Sequence, residues 1–241
     1  MQHNPFFGFN SQPMTVRSEI KEFQGKEAMF YVMIVLLIIY AMLRRAFPKY
    51  FNDLFTLFFR TTVKQRQISE QLIQTPLPSL LLNIFFVVSS GLYIGFLLQH
   101  AKFNPVDNVW LLSGYCMAGL SIIYLIKFLG SKLSGWLFNM KGAADAYIFI
   151  VFIINKMIGI LLLPFLILLA FTQGNIYSAS LTISWIVIIG LLAYRFVLTY
   201  AAVRNQVKVN PFHFFLYIFA FEIAPLLLIY RGLLLFLHIT A

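Results

Sequence analysis

Along most of this chain, polar positions come in short clusters and apolar positions in long runs. Six runs stand out: Ala28–Leu43, Ser79–Leu98, Val109–Ile126, Ala146–Phe171, Ser180–Val203 and Phe212–Leu237. A helix rises 1.5 Å per residue, so about 20 apolar residues cross a hydrocarbon core about 30 Å thick. Ala28–Leu43 is the shortest run and stops abruptly at Arg44 and Arg45. Pro76 and Pro78 precede the second run, where a helix start tolerates proline. Polar turns at residues 104–108 and 172–175, and Asn210-Pro211, mark three further boundaries. The pattern predicts an all-α integral membrane protein, a six-transmembrane-helix bundle.

The stretch between the first two runs has a different rhythm. Phe51, Leu54, Phe55 and Phe58 recur at helical spacing, with Lys49, Asn52 and Asp53 on the other side. That spacing predicts an amphipathic helix lying in the cytoplasmic interface, its aromatics in the acyl boundary. The basic residues that follow it suit anionic lipid headgroups, or a solvated connector. The chain thus divides into a tail over residues 1–27, a first span over 28–43 and a basic loop with an interfacial helix over 44–78. A five-helix membrane domain occupies residues 79–237.

Composition agrees. Of 241 residues, 61% are apolar and 11% charged, against about 45–50% and about 25% in an average soluble domain. Soluble, disordered, coiled-coil and collagen-like classes are excluded. The lone cysteine, Cys116, excludes an internal disulfide. A net charge of +10 in a soluble chain would suggest nucleic acid; in a membrane chain it reports orientation, and no nucleic-acid partner is expected. The loops after runs one, three and five carry Arg44, Arg45, Lys49, Arg60, Lys64, Arg66, Lys127, Lys132, Lys141, Arg204 and Lys208. The other side carries Arg17, Lys21, Lys26 and Lys102. The bias places the larger set in the cytoplasm and both termini in the periplasm, and no secretory signal is expected.

Three charges fall deep inside the runs, Lys156, Arg195 and Glu222, whereas Arg231 lies near the outer end of the last run, where it is expected to snorkel outward. Counted from the cytoplasmic ends of their runs, the three lie about 15, 12 and 15 Å deep, close to the midplane. An isolated charge there costs at least about 2.5–3.5 kcal/mol, so Glu222 is expected to pair with Arg195, Lys156 or both. Asn155, Tyr194 and Tyr217 lie at similar depth and suit a hydrogen-bonded patch around them. Pro225, three residues after Glu222, is expected to kink the last helix, and Pro164 the fourth. Two readings stay open. The layer staples helices together, with a partner subunit or a second copy supplying the missing carboxylate, or it serves transport or catalysis.

Other chemistry is sparse. His100 and His238 stand at span ends, where histidines are ordinarily interfacial. HExxH, GxSxG and glycine-rich nucleotide motifs are missing from the sequence. No cofactor or metal is expected. Gly91 and Gly95 form a GxxxG and Gly114 with Ala118 a second small pair, both suited to close helix packing.

The segment from Phe212 to Pro225, with Tyr217 followed by Glu222-Ile223-Ala224-Pro225, resembles a family of uncharacterised multi-spanning bacterial inner-membrane proteins, a domain of unknown function. The similarity is expected over spans two to six, roughly residues 76–237. It implies a helical inner-membrane protein and carries no activity or site residues with it. The lack of soluble machinery, together with a charged layer that is unbalanced within the chain, gives the expectation of a non-enzymatic subunit or scaffold that assembles with other envelope proteins. A small secondary transporter, channel or lipid-handling protein is the alternative.

Overall fold

The computed structural model describes residues 27–59, 75–100, 108–137, 139 and 141–204. Within them every regular element is a helix: α1 (Glu27–Ala46), α2 (Pro48–Phe59), α3 (Pro76–His100), α4 (Val109–Leu137), α5 (Lys141–Phe171) and α6 (Asn175–Arg204). All but α2 are long and apolar enough to cross a membrane. The sixth apolar run, Phe212–Leu237, lies outside the described residues.

Local chemistry explains the helix ends. Glu27 in the first turn of α1, with Arg44 and Arg45 in its last, complements the helix dipole. Asn108 caps α4, its side-chain oxygen accepting from the Trp110 N–H at 3.0 Å. Gly174, at φ 65°, takes the left-handed conformation that turns α5 into α6. The helices outrun their apolar segments. At 20 residues, α1 reaches about 30 Å. Lys127 and Lys132, expected in a loop, belong to α4, which continues to Leu137. Asp145, the fifth residue of α5, pairs with Lys132 of α4 at 2.6 Å.

Packing centres on α5, which touches α1, α2, α3, α4 and α6. Two-thirds of its apolar window (67%) and 56% of that of α3 are buried, against 11% in each of α1, α4 and α6. Glycines set the closest approaches. A Cβ on Gly159 would stand 2.8 Å from the Phe86 Cα, so α3 and α5 meet backbone to backbone there. Gly91 and Gly95 receive Met117 and Ser113 of α4, so the GxxxG serves packing within the chain. Gly114 and Ala118, by contrast, are exposed.

The directions alternate. The starts of α1, α4 and α6 and the ends of α3 and α5 gather around one open cleft of about 1060 Å³. The remaining ends collect at the opposite side, where α2 lies against α5. This is the basic end, with Arg44, Arg45, Lys49, Lys132 and Lys141 exposed. The apolar face of α2 is turned into the protein. Tyr50, Phe51, Leu54, Leu57 and Phe58 are buried, and Phe55 is half-buried. The aromatics expected among acyl chains instead meet Tyr40 and Tyr194, edge to face, through Phe51 and Phe58.

Candidate functional site: a buried lysine under a short helix

Lys156 lies midway along α5 and is 3% exposed. Side chains on a helix lean toward its N-terminus, and this one leans toward the basic end. Its Nζ donates to the Tyr50 hydroxyl at 2.8 Å and to Ser79 Oγ at 2.7 Å. It also stands 5.5 Å from the centroid of the Tyr50 ring. Ser79 is three residues past the start of α3, about 4.5 Å along its axis. The ammonium is therefore level with the first turn of α3, although its own Cα is at mid-helix. Two of its three N–H donors are thereby used, and such charge-assisted bonds offset desolvation at about 1.5–3 kcal/mol each. Burial pushes the Tyr50 phenol above its ordinary pKa, against an opposing hydrogen bond with Ser79. Tyr50 thus meets the lysine as a neutral hydroxyl.

The other expected residues go elsewhere. Asn155, 1% exposed, points toward α4, where its Oδ1 accepts from the Tyr124 hydroxyl at 3.2 Å. Tyr194 donates its hydroxyl to the Phe58 carbonyl at 2.8 Å, which is in the last turn of α2, where carbonyls lack intrahelical donors. Arg195 is 2% exposed, one turn from the equally buried Thr199. Glu222, Tyr217 and Pro225 lie outside the described residues. Lys156 and Tyr194 are thus linked through opposite ends of α2, whose contact residues Tyr50 and Phe58 are about 12 Å apart along the helix. The arrangement is a strap fixed at two points.

Sequence reasoning missed Tyr50 and Ser79. Tyr50 shares the spacing of Leu54 and Leu57, a hydroxyl within an apolar stripe, and Ser79 follows directly on the proline pair. A further interhelical bond, between the Tyr93 and Ser184 hydroxyls at 2.6 Å, ties α3 to α6 nearer the cleft. The cleft carries Gln99, His100, Gln173 and Tyr177, with the His100 and Tyr177 rings 4.8 Å apart.

A family model described as Domain of unknown function (DUF4271) matches residues 29–233. The chain belongs to this family. No curated protein and no solved structure matches it. The DUF4271 match begins inside α1, so it takes in α1 and α2, which the sequence resemblance had left out. Tyr50 and Lys156 both fall within the matched range, as do Glu222 and Pro225.

Proposed function

We propose that this DUF4271 protein is a six-span protein of the bacterial inner membrane that acts as a subunit or scaffold, assembling with other envelope proteins in the membrane plane. In this reading both termini are periplasmic, the basic end is cytoplasmic, and α2 lies at the cytoplasmic interface. The observation that carries it is the use made of Lys156. Its buried ammonium is bound to Tyr50 and Ser79, so it holds α2 on the α3–α5 core instead of facing an open path. The outward apolar faces of α1, α4 and α6 are then available to lipid and to neighbouring spans.

A small secondary transporter, channel or lipid-handling protein is the second reading, and the open cleft at the other end favours it. Co-purification separates the two. In a mild detergent, the tagged protein from native membranes is expected to bring a stoichiometric protein partner, identified by mass spectrometry. A lone protein carrying a small anion or lipid in the cleft overturns the subunit reading.

A further inference from the structure

The corner between α1 and α2 puts charge and apolar surface together in an order that matches a phospholipid. Val35, Ile38 and Met42 are 54%, 52% and 65% exposed. Spaced three and four residues apart, they form one outward stripe along α1. The next position of that stripe is Arg45, which is exposed, as is Arg44 beside it. One turn further along the chain is Lys49, also exposed. Backbone bonds continue through the corner, with Phe47 N–H to the Leu43 carbonyl at 3.0 Å and Phe51 N–H to the Phe47 carbonyl at 3.2 Å. The residue after Lys49 is Tyr50, pinned to Lys156, and Leu54 is wholly buried. The corner is therefore held in place from beneath. Asp53, one turn beyond Lys49 on α2, is half-buried, so counting it still leaves the corner with a positive surplus. Lys132, at the same end of the molecule, already has a carboxylate from Asp145 at 2.6 Å.

We propose that this corner is a binding site for an anionic phospholipid, its phosphate held by Arg44, Arg45 and Lys49 and an acyl chain lying along Val35, Ile38 and Met42. Guanidinium groups take phosphate oxygens two at a time, which favours the arginines as the main contacts. The stripe distinguishes a lipid from a free phosphate, which has no use for it. The inference rests on the proposed placement of the basic end at a bilayer surface. Binding in micelles does not depend on which way the chain is inserted, so the two fail separately.

The test is native mass spectrometry of the purified full-length protein in detergent micelles containing phosphatidylglycerol or phosphatidylcholine. Phosphatidylglycerol is expected to remain bound, and phosphatidylcholine to leave. At about fivefold per cation, the Arg44→Gln, Arg45→Gln, Lys49→Gln variant loses affinity on the order of 100-fold. Lys132→Gln is expected to bind as wild type does. Arg44→Lys with Arg45→Lys is expected to bind more tightly than the triple glutamine variant but clearly more weakly than wild type, because lysine keeps the charge and gives up the two-point contact. All three substituted positions of the corner are exposed, and an unchanged gel-filtration profile verifies that the variants fold. Retention of phosphatidylglycerol by the triple glutamine variant at the wild-type level overturns the proposal. So does equal retention of phosphatidylcholine, or displacement of the lipid by excess glycerol 3-phosphate, which would make the ligand a soluble phosphate.

Discussion

Lys156 and Asn155 are neighbours in the chain, yet one serves α2 and α3 and the other α4. A turn of about 100° per residue separates adjacent helical side chains, so equal depth does not put them on one face. The lysine itself was legible in the sequence, because an isolated charge in an apolar run is costly and stands out. Its partners were not. Tyr50 is 106 residues away and Ser79 is 77, and hydroxyls scattered through apolar helices carry no signal of which cation they will meet. The bond can be measured directly. Tyr50→Phe is expected to lower stability by about 1.5–3 kcal/mol, the worth of a hydrogen bond to a charged group. Lys156→Met keeps the side-chain volume and removes the charge, so in that background Tyr50→Phe is expected to cost little. A thermal double-mutant cycle in detergent then gives a coupling of about 1.5–3 kcal/mol. Strict additivity contradicts the staple.

The apolar runs located five long helices, but their ends came out short. Each helix goes on past the apolar boundary into residues such as Lys127, Lys132 and Lys141, because backbone hydrogen bonding does not end where hydropathy does. The apolar face of α2 was equally legible, whereas its destination was not: periodicity identifies a face and says nothing of what covers it. Here the cover is the chain's own core, with Leu54 fully buried. Closeness between elements is testable at Gly159 and Gly190. An added methyl at Gly159 meets the Phe86 backbone, whereas none of the described atoms lies within 4 Å of one at Gly190. Gly159→Ala is expected to lower the melting temperature, since overpacking costs about 1–3 kcal/mol. Gly190→Ala is expected to leave it unchanged or raise it, given the roughly 1 kcal/mol helix preference of alanine over glycine. Equal effects of the two would mean that α3 and α5 do not approach as closely as the structure has them.

At the scale of the whole molecule, five alternating helices among the described residues separate an open cleft from a basic end strapped by α2. The distribution of Lys and Arg along the sequence already divided the two ends, because each loop's charge is readable without knowing the packing. The cleft was not readable: its walls come from five helix ends distant in sequence. The proposed placement puts the cleft on the periplasmic side and the basic end in the cytoplasm. The most direct measurement of this is labelling of single cysteines by a membrane-impermeant maleimide in intact cells, in a Cys116→Ala background. One cysteine replaces Asn175, at the exposed turn beside the cleft, and another replaces Gln65, in the basic stretch that follows α2 in the sequence. Labelling at 175 in intact cells, with labelling at 65 appearing after permeabilisation, is the expected result. Labelling at 65 but not at 175 in intact cells would contradict the account.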